Sequence, residues 1–222
     1  MPNREPARLV VLIVLTVLLI VTAQAGLVSV AFRRLGLSPG SAFVLLCLSL
    51  AGSALNLPVA RLRNRPSLPP SLLPPPLQAL LHMRRWDQQS HTVVALNVGG
   101  GLIPILFSFY LMRWNALPLQ ETTLAVAAVA AVSYFFSRPV MGVGIAMPLL
   151  IAPLAAALFA WIINPEKCAP LAYIGGTFGV LVGADLLRLR DIRAMQVPLA
   201  AIGGAGTFDG IFLTGLVAVL IA

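Results

Sequence analysis

"GGAGTFDGIFLTGLVAVLIA", residues 203–222, places a carboxylate, Asp209, between a run of glycines and a long apolar stretch. About twenty apolar residues are needed to cross a bilayer's hydrocarbon core as helix, and Asp209 falls inside such a run. Gly203, Gly204, Gly206 and Gly210 each weaken a helix, and their effects accumulate. The stretch therefore predicts a span that breaks or turns next to a buried acid. Non-helical backbone at that depth is tolerated only where protein encloses it.

The rest of the chain agrees with a membrane setting. Of 222 residues, 59% are hydrophobic and only 10% are charged, against about 25% charged in soluble domains. Apolar runs recur at 9–32, 40–59, 92–112, 120–136, 140–163, 169–187 and 198–222. They predict an all-α, polytopic bundle of about seven spans in one domain, 1–222. Strands are disfavoured, because the runs are continuous and rich in Ala and Leu rather than alternating. The first run follows Arg4 and Arg8 and resembles a signal peptide. It continues past Ala25, so it reads as a retained span, with cleavage after Ala25 as the alternative.

The net charge of +8 belongs to the loops and not to a nucleic-acid surface. With the N-terminus inside, only Arg33, Arg34, Arg113 and Lys167 of the basic residues fall outside. The C-terminus is then outside, as the positive-inside rule requires. Residues 60–91 form a proline-rich, basic inner loop, whose "LQALLHMRRW" suits a short helix lying on the membrane surface. His82 and His91 lie here without close acidic or cysteine neighbours, and Cys47 and Cys168 are far apart in the predicted topology. Neither a metal, a cofactor nor a disulfide is expected.

A motif repeats. "PLAYIGG" (170–176) and "PLAAIGG" (198–204) differ only at Tyr173 and Ala201, and "LNVGGGLIP" (96–104) carries glycines again before Pro104. Glycines in a span mean either close helix packing or a break. Packing is the expectation for Gly175 and Gly176, and a break for 203–210.

The acids deep in the predicted spans are Asp185 and Asp209. At ~1.5 Å per residue they lie within about 8 Å of each other in depth, on consecutive spans. Two such acids would repel unless they share a proton, with one pKa raised. A shared-proton pair serves an aspartic protease, where one carboxylate activates water and the other polarises the carbonyl. It serves proton-coupled transport equally. Asp185 also lies near the end of its span, where Arg188 or Arg190 could pair with it. Asn97, Tyr173 and Glu121 are further polar groups at depths where a cavity would be lined. Glu121 also fits a helix start, stabilised by the dipole.

"NVGGGLIPI", "RPVMGVGIAMPLLIAPLAA", "YIGGTFGVLVGADLL" and "IGGAGTFDGIFLTG" resemble the prokaryotic multi-pass family catalogued as domain of unknown function 1614. This resemblance implies a cell-membrane location and no particular activity. Locally, "GTFDGIFL" resembles the Gly-x-Gly-Asp signature of presenilin and signal-peptide-peptidase enzymes. "ADLL" (184–187) resembles the Tyr-Asp element that precedes it there. That likeness implies Asp185 and Asp209 as catalytic pair, with Gly206 giving backbone access. Phe208 stands where that signature has glycine, and Ala184 where it has tyrosine. Three readings stay open: an intramembrane aspartyl-protease-like protein cutting transmembrane peptides, a small transporter or channel subunit with a midplane solute site, and a non-catalytic scaffold. Oligomeric state is not legible in the chain.

Overall fold

Hydrophobic runs become helices where small and unbranched residues dominate, and strands where β-branched residues meet a partner edge. Both outcomes occur here. A computed structural model describes residues 26–63, 91–140, 144–195, 197, 199–204 and 210–222.

Helix α1 (Gly26–Arg34) stops at Gly36, which takes a left-handed φ of 79°. The Gly36 amide donates to the Arg33 carbonyl and the Leu37 amide to the Phe32 carbonyl, a Schellman ending. Ser38 then caps α2 (Pro39–Gly52) by accepting from the Ser41 amide, with proline in its first turn. The two helices meet at 111°.

The expected span 40–59 ends early, because strand β1 (Asn56–Arg63) follows α2. Strand β2 (His91–Asn97) pairs antiparallel with it across a bulge at Pro58/Ala60. Strand β5 (Leu199–Ile202) pairs parallel with β2, aligning Leu96 with Ile202. The all-α expectation is thus corrected: the chain is mostly helical but holds a three-stranded sheet ordered β1-β2-β5. The reason is local. Thr92, Val93 and Val94 are β-branched, and Asn97 and the following glycines stop any helix from reaching back into them. The strands also take both ends of the expected loop 60–91; residues 64–90 lie outside the described set.

After β2 a π-helical turn (Val98–Leu102) leads into α3 (Ile103–Trp114), and α4 (Leu119–Phe136) follows. A short hairpin, β3 (Arg138–Val140) with β4 (Gly144–Ala146), occupies the start of the expected span 140–163. Helix α5 (Ile151–Ile163) comes next, then α6 (Cys168–Val180), which continues as a π-helical segment, Leu181–Leu186. Short α7 (Leu189–Met195) precedes β5, and α8 (Gly210–Ile221) closes the described fold.

Helix α6 is the axis of the molecule. Within its apolar window 72% of residues are buried, against 28% for α4, as expected of a helix that is apolar all round. Its glycines are packing positions. A methyl group at Gly175, Gly179 or Gly183 would meet Ala125, Val129 or Ala130 of α4 respectively, and one at Gly176 would meet Thr214 of α8 and Ala156 of α5. The outer faces of α3, α4 and α5 instead present Leu106, Phe109, Phe135, Trp161 and Ile162.

Among the described residues, two helices are long and apolar enough to cross a membrane: Leu119–Phe136 and the α6 unit Cys168–Leu186. The bent α1–α2 pair makes a third if counted as one span. Strands and breaks shorten the expected spans 40–59, 92–112, 140–163 and 198–222, while residues 9–25 of the first expected span lie outside the described residues.

Candidate functional site: the glycine-turn junction and the π-helical segment

The aligned strands β2 and β5 both run into glycines. Gly203 and Gly204 have φ of 82° and 93°, the left-handed region that glycine reaches without steric cost. A Cβ on Gly203 would lie 2.6 Å from the Gly101 amide nitrogen. The two glycine turns thus touch, backbone to backbone. Gly99 is equally confined: a Cβ there would overlap the Ser49 carbonyl of α2, and Ser49 Oγ donates to the Gly99 carbonyl at 2.6 Å. The break expected in 203–210 is present at Gly203–Gly204. Gly206 and Asp209 lie outside the described residues.

Asn97 holds this junction together. It is wholly buried. Its Nδ2 donates to the Ser53 carbonyl at 2.6 Å and to Asn56 Oδ1 at 3.1 Å, and its Oδ1 accepts from the Gly100 amide at 2.8 Å. One side chain ties the end of α2, the start of β1 and the π-helical turn.

Asp185 lies in the π-helical segment, half-buried, directly after buried Gly183 and Ala184. Such wide turns recur at functional positions. Arg188, which with Arg190 is one of two basic residues that could pair with Asp185, makes its described contacts elsewhere. Its guanidinium donates to the Tyr134 carbonyl at 2.7 Å, to the Ser137 carbonyl at 2.8 Å and to Asp191 at 3.1 Å, and it lies 4.2 Å over the Tyr134 ring. It closes the carboxyl end of α4, where carbonyls lack helical partners.

Tyr173 is wholly buried, edge-on to Phe107 at 5.1 Å. Its hydroxyl lies beside that of Thr177, one turn on, and among the described residues neither has a hydrogen bond to any third group. Glu121 sits in the first turn of α4 and accepts from Asn164 Nδ2 at 2.7 Å. Nearby, Lys167 Nζ donates to the Asn115 and Ala116 carbonyls. Asp185, twelve residues beyond Tyr173, is about 18 Å further along α6. The structure therefore divides the candidates: Glu121 at one end, Tyr173 inside the bundle, Asn97 at the glycine junction and Asp185 toward the opposite end. No group of three or more His, Cys, Asp or Glu able to hold a metal occurs among the described residues.

Helix α8 runs antiparallel to α6. A methyl at Gly215 would meet Thr177 and Tyr173, and Ala218 shares an apolar cluster with Leu171 and Ala172. Ile211 shares another with Val180, Leu181 and Ala184. The first turn of α8 is thus level with the segment that carries Asp185. Consecutive spans already implied opposite directions for these two helices; their direct packing and the role of Arg188 were not legible in sequence.

Together these features define a mostly helical protein with apolar helices compatible with a membrane, organised around buried glycine turns. The chain belongs to the family described as protein of unknown function (DUF1614), whose profile matches residues 50–221. No curated protein and no solved structure matches it.

Proposed function

We propose that the protein is a multi-pass membrane protein of the prokaryotic cell membrane with an intramembrane carboxylate pair, Asp185 and Asp209, acting as an aspartyl-protease-like hydrolase on transmembrane peptides. The observation that carries this reading is the antiparallel packing of α8 on α6. The first turn of α8 stands beside Val180–Ala184, and Asp209 immediately precedes α8 in sequence. The exposed apolar faces of α3, α4 and α5 support the membrane placement, since water-facing patches of that kind are rare on soluble monomers.

The chemistry follows from a shared proton. The ionised carboxylate takes a proton from water as the oxygen attacks the peptide carbonyl carbon. The protonated carboxyl donates to the carbonyl oxygen. The resulting gem-diol collapses as one of its hydroxyls gives its proton to the carboxylate that had been the acid, the C–N bond breaks, and the amine leaves with the proton held by the other carboxyl. Water is consumed, and the pair returns to one proton.

The test compares wild type with Asp185→Asn and Asp209→Asn in liposomes containing single-span peptides, reading new termini by mass spectrometry. Cleavage within the spans that falls by at least about a hundredfold in either variant is expected, the scale of lost acid–base catalysis. Intact peptides with active wild-type protein would reject the reading.

A second reading has its own support. Two strand–glycine–helix units, β2 into α3 and β5 into α8, lie side by side, and interrupted helices in matching positions mark midplane sites in transporters. Proton flux in the same liposomes, lost in Asp209→Asn without any peptide cleavage, would favour this reading.

A further inference from the structure

A pocket of about 290 Å³ lies between the sheet and the end of α6. Ala60 and Leu62 of β1, Leu96 of β2 and Ile202 of β5 form one wall, and Leu181 and Leu186 of the π-helical segment face them. We infer that this pocket holds one acyl chain of an anionic phospholipid, with the headgroup at the arginine-bearing end of the molecule. The inference rests on the membrane placement proposed above and not on the carboxylate chemistry.

The lining is wholly apolar. A peptide entering it would leave its amide groups unpaired, which is costly away from water. A hydrocarbon chain needs no partner. At the roughly 30 Å³ a water-sized group occupies in a liquid, the volume takes about ten methylene-sized groups. Val59 and Leu186 also line the pocket and are 65% and 43% exposed, so its mouth is apolar and suited to open into lipid.

Charge selects the headgroup. Arg61 and Arg63 flank Leu62 on β1, an edge strand, and Arg190 follows Leu189, another lining residue. Strand alternation sets Arg61 and Arg63 on the face of β1 opposite Ala60 and Leu62, and because β1 is an edge strand their long stems can pass round it to the interface beside the pocket. Among the described residues none of these three has an ion-pair partner, whereas Arg188 is held by Asp191 and α4. Basic residues beside an apolar slot attract anionic headgroups.

The test uses purified full-length protein in mixed micelles with dioleoyl phosphatidylglycerol or dioleoyl phosphatidylcholine, read by native mass spectrometry and thermal midpoint. Recovery in the membrane fraction checks the placement separately. Wild type is expected to retain phosphatidylglycerol in preference to phosphatidylcholine. Leu62→Trp, which fills the slot, should bind it about tenfold more weakly, the effect of displacing two methylenes. Ala60→Leu serves if the tryptophan variant fails to fold. Replacing Arg61, Arg63 and Arg190 with Gln should leave lipid bound but erase the preference. Equal phosphatidylglycerol binding by wild type and a folded pocket-filled variant would overturn the inference. So would a wild type that shows no preference, or one protected by a single-span apolar peptide and not by lipid.

Discussion

Asn97 concentrates three hydrogen bonds in one buried side chain. Asn97→Ala strands the Ser53 carbonyl and the Gly100 amide, so a loss of about 3 kcal/mol is expected, read as a lowered thermal midpoint in detergent. Tyr173 predicts the opposite sign. Among the described residues its buried hydroxyl is served only by the Thr177 hydroxyl, which falls short of full hydrogen-bond geometry, so Tyr173→Phe should be neutral or raise stability by about 1 kcal/mol. A fall in midpoint would show that the hydroxyl has a partner of its own. Both residues were conspicuous in sequence, because polar groups in apolar runs stand out. Their partners were not. Asn97 bonds mostly to backbone groups, and backbone groups leave no mark in a sequence.

The same limit holds for elements. "PLAYIGG" winds into the middle of α6, while "PLAAIGG" forms β5 and a left-handed turn. Nearly identical words fold differently because α6 finds helices on every side and β5 finds the edge of β2. Hydropathy located α4 and α6 correctly, since a long Ala- and Leu-rich run surrounded by partners has no better state than helix. It merged β2 with α3, because both are apolar and only the β-branched residues and glycines separate them. Packing glycines give a sharp test. A methyl at Gly183 would strike the Ala130 carbonyl, a backbone atom with little room to move. Gly183→Ala should cost about 1–3 kcal/mol and lower the thermal midpoint. Ala116, at the end of α3, holds a φ of 46°. Ala116→Gly should relieve about 1 kcal/mol of strain and raise the midpoint; an unchanged or lower value would mean the turn carries no strain.

At the scale of the molecule, polar groups gather at two ends of the bundle. At one end Glu121 and Asn164 tie α4 to the end of α5, Lys167 ties the start of α6 to the end of α3, and Arg34 donates to the Val219 carbonyl of α8. At the other, Arg188 fastens α6 to α4. The positive-inside count assigns Arg34 and Lys167 to one side and Arg188 to the other. It could not anticipate that Arg188 acts as a helix cap. Arg188→Gln should cost about 2 kcal/mol through unpaired carbonyls, measured as earlier unfolding with heat, and Arg190→Gln far less. Equal effects would count against Arg188 as the tie between the two helices.

The parallel pairing of β2 with β5 joins segments roughly a hundred residues apart in sequence. During synthesis β2 emerges early, and its inner edge must wait until α3 to α7 have been made. Contacts so distant along the chain are slow to form, and an open strand edge is sticky while it waits. The contact of the two glycine turns, Gly203 against Gly101, therefore forms late, and until it does the waiting edge of β2 is open to capture by a chaperone or by another nascent chain.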